Sequence, residues 1–185
     1  VLPGMDNPYK RERINDEMPQ SGAGKTIMTT QPHFVPNEAV ELELDDGGMM
    51  KVRLVDCVGY MVDGAAGHMD DEGPRMVRTP WFDYDIPFLE AADIGTKKVI
   101  TEHSTIGIVV TTDGSITDIP RGSYVDSEER AVRELKELGK PFVMILNTTV
   151  PQSKDAISLR DAMEQKYGVP VLITDVMGMT YDDME

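Results

Sequence analysis

Cysteine is almost missing from this chain: Cys57 is the only one in 185 residues. That excludes an intrachain disulfide framework and a cysteine-built zinc site, and it suits a reducing compartment. Positive charge is short as well. Lys and Arg number 18 against 33 Asp and Glu, for a formal net charge of -15. This balance argues against a basic nucleic-acid footprint and against unaided attraction to an anionic membrane. No apolar run approaches the roughly 20 residues of a membrane span, and no signal-peptide pattern opens the sequence. A soluble cytosolic protein is the expectation. His33, His68 and His103 lie scattered without ligand spacing, so structural or surface roles are expected of them over metal binding.

What is present suffices for a packed core. Hydrophobic residues make up 40% and charged residues 28%, as in globular proteins, and the length suits one domain or one domain with an extension. Residues 1–38 are polar and dense in turn signals, and they read as a long loop. Val40, Leu42 and Leu44 alternate with acids, Asp45-Asp46-Gly47-Gly48 supplies turn chemistry, and residues 52–55 resume the alternation. An antiparallel hairpin follows from that pattern. Residues 57–85 read as a second polar loop. From residue 86 onward, periodicity predicts a helix over 86–100, which Gly95 is expected to bend, and a strand over 106–110. A helix over 126–138, a strand over 141–146, a helix that follows Lys154-Asp155 and closes near Gly168, and a strand over 169–174 complete the series. This alternation calls for a parallel sheet with crossover helices.

Chemistry concentrates at the end of the second hairpin strand. Asp56 closes Val52-Arg53-Leu54-Val55, and Gly59 follows three positions later. P-loop nucleotide hydrolases place a magnesium-linked aspartate and a phosphate-sensing glycine in this way. A glycine there lets backbone approach a phosphate with no side chain between them. By itself D-x-x-G is common by chance and equally describes a strand end with a turn. Ser21-Gly22-Ala23-Gly24-Lys25-Thr26 imitates a phosphate loop, but Pro19 stands where the pattern needs glycine and no buried strand precedes it. It is therefore not one. Thr29 and Thr30 occupy the place of switch threonines, and equally of two β-branched residues entering an extended segment. Asn147-Thr148-Thr149-Val150 follows the penultimate strand, where a guanine reader carries N-K-x-D. Valine cannot supply the carboxylate acceptors, so guanine specificity is not expected. The methionines, 13 in all, read as adaptable packing or contact surface. Trp81, Phe82 and Tyr84 fit a core flap better than an exposed patch.

Longer strings carry a resemblance. Residues 18–30, Phe34-Val35-Pro36-Asn37, Arg53 through Tyr60, Gly73-Pro74-Arg75-Met76 and Thr79-Pro80-Trp81 belong to it. So do residues 91–102, His103 through Gly107, Thr111-Thr112-Asp113-Gly114 and Gly139-Lys140-Pro141-Phe142. Across essentially the whole chain this resembles the ATPase domain of the stage IV sporulation protein A family of endospore-forming bacteria. The resemblance implies a P-loop NTPase domain related to translation-factor GTPases but turned to ATP. Its fold would be a three-layer α/β/α domain, with a mostly parallel sheet and one antiparallel hairpin. It implies that residues 1–185 are one partial ATPase domain with switch-like loops at 15–36 and 57–85.

The same resemblance implies catalytic roles for Asp56, Thr29 and Thr30, with Asp56 and Thr30 on Mg2+. It places Gly59 and Asn147 against the cofactor, ATP. It further implies ATP hydrolysis that drives self-assembly of the basement layer of the spore coat, in the mother-cell cytoplasm at the forespore surface. The implied partners are further copies of the chain, other coat morphogenetic proteins, and a small amphipathic membrane-docking peptide bound outside this chain; no nucleic acid is implied. The family's first strand, phosphate loop and first helix would precede Val1. The chain is therefore expected to be an internal fragment, inactive by itself. Two other readings stay open: an assembly scaffold whose nucleotide site has decayed, and a GTPase with an unusual base-reading loop.

Overall fold

The computed structural model describes residues 33–44, 47–71 and 73–180. Thr29, Thr30, the 21–26 segment and most of the 15–36 loop lie outside the described residues. The chain opens with a hairpin of β1 (His33–Glu43) and β2 (Met49–Asp56), paired antiparallel from His33 opposite Asp56 to Glu43 opposite Met49. The strand thus begins earlier than its alternation predicts, and residues 33–38 are strand, not loop. The register shifts between Val35 and Val40, around Pro36, which has no N–H to give to the ladder. Gly47 turns the chain with a φ of 78°. The hairpin is thinly covered: Val40 is buried, while Met49, Met50 and Leu54 are exposed.

The 57–85 stretch is folded, contrary to a plain loop. It forms two short antiparallel pairs, β3 (Met69–Asp70) with β4 (Gly73–Pro74) and β5 (Met76–Val77) with β6 (Ile86–Pro87). Arg75 ties them together. Its guanidinium donates to the Gly67 carbonyl at 3.0 Å and lies 4.9 Å from the Phe88 ring centre. Helix α1 (Phe88–Lys98) follows directly and runs on through the buried Gly95, which does not end it. Only at Val99–His103 does it widen into a π-turn. Phe88, Ala91 and Ala92 pack with Val77 and Ile86, and Phe82 lies against them.

Strand β7 (Gly107–Thr112), a 3-10 turn (Arg121–Tyr124), helix α2 (Val125–Glu137), strand β8 (Phe142–Asn147), helix α3 (Lys154–Tyr167) and strand β9 (Val171–Thr174) complete the chain. The three strands are parallel in the order β7-β8-β9. Phe142, Met144 and Leu146 alternate inward along β8 and pack with Val132 and Leu135 of α2 and Met163 and Tyr167 of α3. Gly107 lets α2 come close, since a Cβ there would stand 3.0 Å from a Leu135 methyl. Both helices cover this one face. On the other, Ile108, Val110 and Leu172 are more than half exposed. The hairpin belongs to a separate two-stranded sheet, because a cleft and not a ladder separates the end of β2 from β7.

Candidate functional site

The cleft has a volume of about 580 Å³ and is lined by Asp56, Cys57 and Gly59 on one side and by β7, Thr112 and Asn147 on the other. Three of the sequence-derived site residues, Asp56, Gly59 and Asn147, therefore meet around one space. Thr29 and Thr30 are outside the described residues. Asp56 is the last residue of β2 and is exposed. Gly59 has a φ of +81°, a conformation side chains resist, and nothing lies within 4 Å of where a Cβ would project. The space a side chain would fill is open, while the Gly59 backbone itself hydrogen-bonds the Cys57 thiol.

The cleft reaches the carboxyl ends of parallel strands, the usual ligand place in open α/β sheets. Two interactions fix those ends. Asn147 accepts a hydrogen bond through Oδ1 from the Val176 amide at 3.0 Å, tying β8 to the loop after β9. Thr148, fully buried, donates to Asp113 at 2.6 Å, and Asp113 also accepts from the Ser115 amide at 2.9 Å. Partial burial pushes the Asp113 carboxyl up, but the bonds from Ser115, Thr148 and Thr112 outweigh it, and the net shift is downward. Thr148 therefore points inward as a fastener where a base-reading lysine would point outward. Val150, half exposed, offers no acceptor. Asp113 and Ser115, which brace Thr148 beside the cleft, were not foreseen; the only signal was Thr112-Asp113-Gly114 just past a predicted strand.

Burial pushes the Cys57 thiol up, which disfavours the thiolate. Among the histidines, His103 stacks edge-on against Phe34 at 5.6 Å, and the buried His68 Nδ1 has no hydrogen-bond partner. Among the described residues no helix is long and apolar enough to cross a membrane.

An α/β domain with an acidic strand end and a bare glycine facing the carboxyl edge of a parallel sheet is the class that fold and cleft define. Comparison with known proteins gives it a family. The family described as "Stage IV sporulation protein A, ATPase domain" matches residues 1–185, and the chain belongs to it. The chain is 54% identical over 184 residues to stage IV sporulation protein A of Bacillus anthracis and 53% over 184 residues to that of Bacillus subtilis (strain 168). To that of Clostridioides difficile (strain 630) it is 54% identical over 185 residues. Each comparison takes in 100% of this chain but only 37% or 38% of the relative. The chain thus spans little more than a third of the length of the curated relatives it matches. No solved structure matches it.

Proposed function

We propose that the chain is the core of an ATP-hydrolysing morphogenetic protein of the spore coat, in which hydrolysis drives self-assembly around the forespore. The family match along all of residues 1–185 to an ATPase domain carries the reading, and the meeting of Asp56 with the bare Gly59 turn supports it. On this reading the domain is of the P-loop type and residues 1–185 are part of it, with the 15–36 and 57–85 stretches as its switch loops. Among the described residues β7 is an edge of its sheet, and Ile108 and Val110 on the face away from the helices are more than half exposed, which suits a larger sheet covered on both faces.

The residues fit the group this activity needs. Mg2+ takes one or two carboxylates and completes its shell with phosphate and water, and Asp56 offers one carboxylate at the cleft. Mg2+ would neutralise charge developing on the phosphates. Asp56 would hold the metal or its water and Thr30 the metal, with Thr29 and Thr30 serving as the threonines that sense the terminal phosphate. The Gly59 amide approaches that phosphate, and Asn147 stiffens the nucleotide-facing loops. Val150 leaves guanine without its carboxylate partner, so ATP is the expected substrate. The proposed partners are further copies of the chain, other coat proteins, and an amphipathic membrane-docking peptide bound elsewhere. The proposed location is the mother-cell cytoplasm at the forespore surface.

The test is nucleotide turnover by the full-length protein. ATP but not GTP should be hydrolysed, and Asp56→Ala should lower kcat by at least about 100-fold, as loss of a transition-state charge contact does. Turnover untouched by Asp56→Ala removes the site assignment. A folded protein that assembles without hydrolysing either nucleotide is the decayed-site scaffold.

A further inference from the structure

The turn at 56–59 continues into a side chain held by two partners. Tyr60 is only 8% exposed and donates its hydroxyl to Glu134 of α2. The guanidinium of Arg130, one turn earlier on the same helix, lies 3.8 Å from its ring centre. Arg130 in turn donates to Glu134 at 3.2 Å and makes a two-pronged contact with Asp93 of α1 at 2.9 and 3.1 Å. One residue further on, the Ser127 hydroxyl donates to the Met61 carbonyl. Ser127 and Glu134 are seven positions apart, two helical turns along one face. Two fasteners on one rigid face fix both the position and the rotation of the backbone at 59–61. A tyrosine that filled space alone would need neither the hydroxyl bond nor a ring-stacked arginine committed to two helices.

We propose that Tyr60, held by Glu134 and Arg130, is a positioning residue that sets where the Gly59 backbone meets the terminal phosphate of a bound nucleoside triphosphate. The proposal rests on the hydrolase reading above. It makes α2 and α1 the frame against which the glycine turn is aimed, and it gives the Asp93–Arg130–Glu134 network a role in turnover as well as in folding.

The test uses full-length protein carrying Tyr60→Phe, which keeps the ring and its arginine but removes the hydroxyl bond. The expected result is a kcat about 10-fold lower, since small misplacements at a reacting centre have large rate effects. KM for ATP should stay within about 2-fold, and Tm should fall by no more than about 4 °C, the effect of about one hydrogen bond. Amide exchange at 57–61 in nucleotide-free protein should accelerate. Glu134→Gln, whose amide oxygen still accepts from the hydroxyl, should keep more of kcat than Glu134→Ala. An unchanged kcat in Tyr60→Phe overturns the proposal, and so does unchanged exchange at 57–61. A kcat that falls only in step with a collapsing Tm makes Tyr60 structural and overturns it too. If the wild-type protein itself turns over no ATP, the hydrolase reading fails first and the positioning role falls with it.

Discussion

Glu128 is a carboxylate only 4% exposed on the inner face of α2, and it stays charged because its surroundings answer it. Arg121 approaches to 2.7 Å, and the Tyr167 hydroxyl donates at 2.5 Å. Burial pushes the carboxyl up, but the bonds from Arg121 and Tyr167 outweigh it and the net shift is downward. A depressed folded value means stability that is present above the unfolded value and lost as pH falls through the folded one. Tyr167 shifts the other way, up to about 12, through burial and then the bond to Glu128. Its contribution is complete below an ordinary phenol value of about 10 and is lost as pH rises through about 12. Glu128→Ala strands Arg121 and should cost about 3 kcal/mol, the low end for breaking a buried pair because Arg121 is partly exposed. Urea titrations should show this loss at neutral pH. Across pH, Glu128→Gln should flatten the acid limb of stability and Tyr167→Phe the alkaline one.

At the scale of elements, local chemistry decides where helices begin and end. Ser153 accepts from the Ala156 amide at 3.1 Å, and Gly168 closes α3 in the left-handed conformation. Ser153→Ala should cost about 1 kcal/mol in denaturant unfolding. Gly114 is a sterner case: at a φ of +92°, a Cβ would stand 2.9 Å from the Arg121 backbone nitrogen. Gly139, at +64° with open space beside it, provides the contrast, so Gly114→Ala should destabilise more than Gly139→Ala. Such signals explain why the second half of the chain was legible. Gly168 marked the end of α3 in the sequence, and strands such as β8 declare themselves by apolar runs. The 57–85 stretch gave no such signal. Its two small strand pairs rest on Arg75 reaching Gly67 and Phe88, contacts that have no periodicity. The strand end at Asp56 and the turn at Gly59, which line the cleft, were readable because they are local features. Tyr60, Arg130 and Asp93 were not, because their meeting depends on how two helices pack.

For the whole molecule, two opposed forces act on residues 1–185 taken alone. Parallel sheets are ordinarily covered on both faces, yet Ile106, Ile108, Val110 and Leu172 are each more than half exposed. Among the described residues strand β7 is also an edge of its sheet, and an apolar edge invites pairing with another chain. Against this stands a net charge of -15, which repels copies over about 10 Å at 0.1 M ionic strength but only about 3 Å at 1 M. Apolar burial does not weaken with added salt, so the balance should tip towards association as salt rises. Sedimentation velocity should show smaller species near 0.1 M and larger ones near 1 M. Val110→Lys places a charge on the open face without entering the packed one, so it should hold the protein in the smaller form at high salt. If Val110→Lys associates as the unaltered chain does, this face is not where copies meet. If association weakens with salt, charge contacts and not the open sheet hold the copies together.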